Sequence, residues 1–291
     1  METKLNCKGK RFFALALTAS LMLATAFTLN ACGGDGGGSG DDTPASSSSG
    51  NGSLSLTSSS SGSGSSPSSS SQPSPKCGEY KHDEEFCDER DEKLYKYVEI
   101  NGQTWMAENL NFDADGSRCY GDDTGGDSEG NCAKYGRLYK WATAMDGAAS
   151  SDANPSGVQG ICPSGWHLPS SAEWVALAIS AGGTGTNGNS GPAGTKLKAK
   201  SGWNAHATYG NGTDDFGFSA LPGGEGYSNG NFSNFSYAGN SGNWWGTSEL
   251  ESPNNDTYHI QSMYYSSEVA SHFWDGSIGK FGLLSVRCVQ D

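Results

Sequence analysis

Positive charge is scarce in this chain. Eighteen lysines and arginines stand against 32 aspartates and glutamates, and the formal net charge at pH 7 is −14. Residues 1–31 carry +3 and residues 32–76 carry −2, which leaves −15 on residues 77–291. A domain so short of cations is a poor match for phosphate backbones, so nucleic acid and docking on anionic lipid are excluded as partners of that part. Neutral and cationic partners stay open. Much of the acid sits in "HDEEFCDERDE" and "GDDTGGDSEG", which read as solvated, solubilising runs. Short catalytic signatures are missing too. No CxxC or HxxxH spacing occurs, so the six cysteines beyond residue 76 do not read as a zinc site. No HExxH or P-loop pattern occurs either, which leaves no motif for a zinc protease or a nucleotide hydrolase.

What is present starts with an address. Lys4, Lys8, Lys10 and Arg11 precede the apolar run "FFALALTASLMLATAFTL", and "LNAC" follows, ending at Cys32. A basic start, an apolar core and a small residue at the cut read as a secretory signal over residues 1–31. The run is also about long enough to span a bilayer, so an uncleaved anchor is the alternative. Cysteine directly after the cut resembles the lipobox of bacterial lipoproteins, which implies acylation of Cys32 and a stable membrane anchor. Residues 32–76 are almost wholly Gly, Ser, Asp, Thr and Pro. Such a segment cannot bury enough apolar surface to offset its ordering entropy and reads as a disordered tether. As a flexible coil it would span about 35 Å. The expected location is the cell envelope, lipid-anchored at the outer membrane and exposed at the surface.

Residues 77–291 are long enough for one domain. With Cys7 in the signal and Cys32 lipidated, Cys77, Cys87, Cys119, Cys132, Cys162 and Cys288 remain. An even count behind a secretion signal reads as a disulfide framework. Of the 15 possible pairings, spacing favours Cys77–Cys87 and Cys119–Cys132 across short polar loops. That leaves Cys162–Cys288 to close a loop of more than a hundred residues, for roughly 4–5 kcal/mol in the chain-entropy model.

"CPSGWHLPSSAEW" sets Cys162, His167 and Glu173 within thirteen positions, a spacing that raises a metal or catalytic cluster. A disulfide-bonded Cys162 is neither ligand nor nucleophile. Ser170 and Glu173 fit the N-cap and N3 positions of a capping box, and Trp174, Leu177, Ala178 and Ala181 follow on one helical face. The stretch therefore reads as a helix start, with His167 a hydrogen-bonded structural residue. "KYVEINGQTWMAENL" alternates on either side of Asn101-Gly102 and predicts a hairpin. "GRLYKWATAMD" begins strand-like and turns helical at Ala142, and a second short helix lies near "GTKLKAKSGW". Beyond Gly202, "FGFSALPGG", "NWWGTSE", "TYHIQSMYYSS" and "FGLLSVRCVQD" read as short strands between turn-rich loops.

In order along the chain, "NGQTWMAENLNF", "CAKYGRLYKWATAMDG", "GICPSGWHLPSSAEW", "GTKLKA", "NGTDDFGFSALPGG", "WWGTSE" and "LLSVRCVQD" resemble the Fibrobacter succinogenes major paralogous domain family, from about residue 96 to 291. The resemblance implies a secreted or surface protein of a fibre-degrading bacterial group, often a lipoprotein, and assigns no activity. "GWHLPSSAEW" and "LPGG" also resemble the C-type-lectin-like and formylglycine-generating-enzyme-like folds. The fold expected is thus α+β and C-type-lectin-like, with two short helices, small antiparallel sheets, long irregular loops and disulfide staples. The lectin calcium triplets are absent. "SPNND" offers oxygens that suit calcium in a different arrangement, so no metal or other cofactor is assigned, and the formylglycine enzymes' reactive cysteines are taken up here as bridges.

Function is read from "NFSNFSYAGNSGNWWGTSE" and "MYYSSEVASHFWDG", where aromatics meet amides and carboxylates, the groups that take sugar faces and hydroxyls. Trp245, Tyr264 and Tyr265 are the candidate platforms, with Asn254, Asn255 and Asp256 as polar partners, while Trp244 and Trp274 read as core. A glycosidase needs two carboxylates at a defined separation; Asp214, Asp215, Glu225, Glu249 and Asp275 are available and none stands out, so no catalytic residue is assigned. The expectation is a non-catalytic binding or adhesion module for plant polysaccharide or another surface protein. The alternatives are an enzyme acting on carbohydrate or protein and a structural coat protein. Cys32→Ser should abolish acylation and release the protein from the membrane fraction; labelled acyl chains still carried by the variant would contradict the lipobox reading.

Overall fold

The computed structural model describes residue 77 and residues 84–122, 128–229, 233–250, 257–275 and 278–291. Cys32, the tether, Asn254, Asn255 and Asp256 lie outside the described residues, as does the Trp274 side chain. In chain order the elements are β1 (Glu85–Asp88), β2 (Lys93–Ile100), β3 (Gln103–Met106), α1 (Ser128–Tyr135), β4 (Leu138–Tyr139), α2 (Trp141–Met145), β5 (Trp166–His167), α3 (Ser171–Ser180) and α4 (Ala193–Leu197). The second half follows as β6 (Glu225–Ser228), β7 (Ser233–Ser236), β8 (Ser241–Leu250), β9 (Thr257–Tyr264), β10 (Ala270–Asp275), β11 (Gly282–Ser285) and β12 (Val289–Gln290).

The hairpin signal is realised. β2 turns into β3 at Asn101 and Gly102, both at positive φ (53° and 79°), the pair of left-handed residues that a two-residue turn of matching twist requires. β3 then pairs with β12, and β12 with β5, so a five-stranded sheet in the order β1-β2-β3-β12-β5 joins the start of the domain to its end. The second sheet runs β10-β9-β8-β11-β6-β7, with β4 also on β11. Its pairs are antiparallel except β8 with β11, which is parallel at Trp244 and Ser285.

Helix α3 starts as the capping box predicts: Ser170 Oγ accepts from the Glu173 amide at 3.3 Å, and Glu173 Oε2 accepts from the Ser170 amide at 3.0 Å. Trp174, Leu177 and Ala178 are its buried apolar face. The described residues hold four helices rather than two. α2 and α4 are single turns of five residues each. α1 buries only Cys132 and Tyr135, so it has no apolar stripe to betray it, and the Cys119–Cys132 bridge supplies the anchor that stripe would have provided. The other two bridges are Cys77–Cys87 and Cys162–Cys288, the latter 126 residues apart.

One expected strand is absent. "FGFSALPGG" makes only isolated bridges, at Ala220 and Gly224. Asp214 and Ser219 take left-handed φ (50° and 52°), and the Asp214 carboxylate accepts from the Ser219 amide at 2.7 Å and hydroxyl at 2.6 Å. This local bonding holds the segment as a loop. Two apolar clusters form the interior. One surrounds Cys162 and Cys288 with Trp166, Trp245, Tyr258 and Ile260. The other lies against α3 and α4 and holds Trp105, Trp174, Trp203, Phe218 and Trp244.

His259 of β9 is buried, its ring stacked 5.7 Å from His272 of β10. Burial, and then the neighbouring imidazole, push the His259 pKa down to about 3, and burial lowers that of His272 as well. Below the unfolded value of about 6.5 the unfolded chain therefore binds protons that the fold does not. The stability these residues contribute above pH 6.5 is lost as pH falls towards 3. Between about pH 6 and 5 the unfolding free energy of the wild type should fall more steeply than that of His259→Gln, by a difference approaching 1.4 kcal/mol per pH unit. Equal slopes in urea titrations would show His259 charged in the fold.

Candidate functional site

The trio Cys162, His167 and Glu173 is a joint of the fold. Cys162 is bonded to Cys288. Glu173 is fully buried: its Oε2 accepts from the amides of Ser170 and Ser156, and its Oε1 lies 2.8 Å from His167 Nε2. His167 Nδ1 lies 2.8 Å from Asp291 Oδ1, tying β5 to the end of the chain. Burial lowers the His167 pKa, but the hydrogen bonds and charges of Glu173 and Asp291 outweigh it and leave the pKa raised. The stability this link contributes is thus complete below about pH 6.5 and fades as pH rises through the raised value. With sulfur bridged and both partners buried, the trio presents nothing to a substrate.

Trp245 is likewise no platform. It is fully buried, and its indole N–H donates to the Tyr139 carbonyl at 2.6 Å. Trp244 is buried as expected, donating to Asn109 Oδ1 at 2.8 Å. Both faces of β8 are covered at this point, so two consecutive tryptophans go inside where strand alternation alone would expose one.

Tyr264 and Tyr265 do meet, in a cleft of ≈ 550 Å³. Tyr264 ends β9 and Tyr265 follows it in the turn, and Tyr237 and Glu225, with Asn240, Ser241, Asn243 and Ile260, complete the lining. Tyr237 is 58% exposed and Tyr264 38%, whereas Ser241, Asn243 and Ile260 are buried and form the floor. The β8–β9 register sets Asn243 opposite Ser262 and Ser241 opposite Tyr264. Ser262 Oγ donates to Asn243 Oδ1 at 2.7 Å, and Asn243 Nδ2 donates to Glu225 Oε2 and to Ser241 Oγ, each at 3.2 Å. The floor is therefore an ordered run of amide, hydroxyl and carboxylate.

The walls are fixed from behind. Tyr237 takes a left-handed φ of 68° and opens the turn into β8, its carbonyl accepting from the amides of Asn240 and Ser241. Gly239 in that turn passes so close to Asn204 that a Cβ would sit 2.9 Å from Asn204 Oδ1. Asn204 in turn donates to Asn240 Oδ1 at 2.8 Å. The Tyr265 amide donates to the Asn240 carbonyl, and its ring meets the edge of His206, which stacks on the exposed Tyr209. Behind the β9–β10 turn, buried Lys198 donates from Nζ to the carbonyls of Tyr264 at 3.1 Å and Ser267 at 3.0 Å. Burial pushes its pKa down to about 8, so near neutral pH the ammonium still holds the turn.

A larger hollow of ≈ 680 Å³ lies between β2 and α1, lined by Asp91, Lys93, Glu108 and Lys134 among others. Its tyrosines, Tyr95 and Tyr135, are buried, so it offers salt-screened charge and no open ring face. Among the described residues no group of three or more His, Cys, Asp or Glu is placed to hold a metal ion. Of the residues singled out in the sequence, the cleft brings together Tyr264 and Tyr265, and it adds Tyr237, Asn240 and Asn243, which the sequence reading does not single out. "SYAGNSGN" held the signal, a tyrosine ahead of a glycine-asparagine turn. The family model of the Fibrobacter succinogenes major domain matches residues 98–290. The chain belongs to that family. Among curated proteins and solved structures, none matches it.

Proposed function

We propose that this protein is a lipid-anchored surface protein of the cell envelope, acylated at Cys32 and carried at the outer membrane, whose folded part binds polysaccharide without cleaving it. The observation that carries the binding reading is the cleft itself. Solvent-facing Tyr237 and Tyr264 stand over an amide and hydroxyl floor, the combination that accepts both the apolar face of a sugar ring and its hydroxyl edge. Such clefts, largely preformed and with few convergent polar groups, are where small ligands bind. The Gly- and Ser-rich tether supports presentation away from the lipid, and the pairing of β3 with β12 around the middle of the chain supports a lectin-like reading of the fold. Plant polysaccharide is the ligand class that fits a described lining with no cation and a single carboxylate.

Hydrolysis is disfavoured by the same lining. Glycoside cleavage takes two carboxylates about 5–9.5 Å apart, and Glu225 is the one carboxylate among the described residues of the cleft. Of the other acids considered, Asp214 is engaged in its own loop.

Tyr264→Ala should weaken retention of the full-length protein on insoluble polysaccharide by roughly 0.5–1.5 kcal/mol, a few-fold to about tenfold in affinity, with the melting temperature little changed because the ring is exposed. Unchanged retention by the folded variant, or release of soluble sugar by the wild type, would contradict this reading.

A further inference from the structure

The cleft does not end at Glu225 and Tyr237. Both residues also line a second hollow of ≈ 270 Å³ on their other side, together with Tyr227, Asn234 and Ser236. The β6–β7 register explains the grouping: Glu225 pairs with Ser236 and Tyr227 with Asn234. Side chains alternate along a strand, so these four share one face of the hairpin while Gly226 and Phe235 share the other. Tyr227 is 39% exposed and its ring is backed by Phe281 at 5.6 Å. The second hollow thus repeats the composition of the first, with an open tyrosine, an amide and a hydroxyl. Neither hollow includes a lysine, arginine or histidine among its described residues. Among the described residues, the six exposed large apolar side chains include four tyrosines: Tyr227, Tyr237 and Tyr264 line the two hollows, and Tyr209 stacks on His206 beside Tyr265.

We infer that the two hollows are adjacent subsites of one groove, which binds an uncharged oligosaccharide along its length, with Glu225 accepting hydroxyl hydrogen bonds from sugar units on both sides. A single hollow would favour a chain end or one sugar unit; two hollows sharing a ridge favour consecutive units. The absence of a cation from the described lining and the presence of a shared carboxylate select against uronate and sulfated chains, whose negative charge would lie beside that of Glu225 with no cation in the described lining to offset it. The inference rests on the reading of the larger cleft as a sugar site.

The test is calorimetric titration of the full-length protein with cello-oligosaccharides and xylo-oligosaccharides of one to six units, and with oligogalacturonate, using wild type, Tyr227→Ala and Tyr264→Ala. Affinity for at least one neutral series should rise tenfold or more between one and four units. Tyr227→Ala should abolish most of that gain yet bind the shortest ligand as the wild type does, and Tyr264→Ala should weaken every length. Oligogalacturonate should bind at least tenfold more weakly. Affinity that is flat with length, a Tyr227→Ala variant that keeps the full gain, or oligogalacturonate binding as tightly as the neutral chains would overturn the extended neutral groove, while a Tyr264→Ala loss would leave the single sugar site standing. No binding in any series would overturn both.

Discussion

A buried cation that makes no ion pair among the described residues sits at the centre of this fold. Arg287 is fully buried, and its hydrogen bonds go to neutral acceptors. Nε and Nη2 donate to Asn109 Oδ1 at 3.1 and 2.9 Å, Nη1 to the Phe218 carbonyl, and Nη2 also reaches the Ser219 carbonyl at 3.4 Å. The guanidinium lies 4.3 Å over the Phe218 ring and 5.7 Å from that of Trp244. Burial pushes its pKa down to about 9, which leaves it charged at neutral pH. Burying a cation is costly unless its donors are satisfied, so the arrangement constrains each segment that supplies an acceptor. Asn109 fixes the chain after β3, and the 218–219 carbonyls fix the loop that failed to become a strand. Asn109 also accepts from Trp244 of β8 and donates to the Tyr135 carbonyl and Ser285 Oγ. One side chain therefore ties both sheets and the end of α1 to a single cation.

The cleft inherits its rigidity from this centre. Trp244, held by Asn109, is followed backwards by Asn243, whose side chain is the floor of the cleft. Setting one residue of a strand sets the facing of its neighbours, so an anchored Trp244 turns Asn243 towards Glu225 and Ser262. On the far wall Lys198 does a related job, a second buried cation holding carbonyls, those of Tyr264 and Ser267. Sites supported in this way present their polar groups already ordered, which lowers the entropic cost of binding. The Cys162–Cys288 bridge acts next door: Val286 and Cys288 belong to one apolar cluster, while Arg287 between them lies against Phe218 and Trp244 of the other.

Local signals carried well from sequence to structure. Asn101-Gly102 made its turn, Ser170 and Glu173 made their capping box, and cysteine spacing paired all six described cysteines, because each depends on a few neighbouring residues or on loop length. The failures share another cause. Trp245 reads as a surface platform in the sequence because β8 is covered on both faces only once β9, β11 and α3 are in place. "FGFSALPGG" reads as a strand by composition, but the left-handed Asp214 and Ser219 and a buried guanidinium claim the backbone there. Helix α1 lacks an apolar stripe. Arg287 was visible only as a letter within "LLSVRCVQD"; nothing local marks a surface-prone residue as the buried centre of a fold. Tyr237 belongs to the same class, since its part in the cleft depends on the return of β9 beside it.

The dependence on Arg287 is tested most directly by equilibrium urea unfolding of Asn109→Ala. Removing the amide oxygen leaves two guanidinium N–H groups and the Trp244 N–H without their acceptor in a dry interior. Lost hydrogen bonds to a charged group are worth about 1.5–3 kcal/mol each, so the variant should be destabilised by about 3 kcal/mol or more, in one cooperative transition. A change within about 0.5 kcal/mol, the range of an ordinary surface substitution, would mean that the buried cation does not organise the fold.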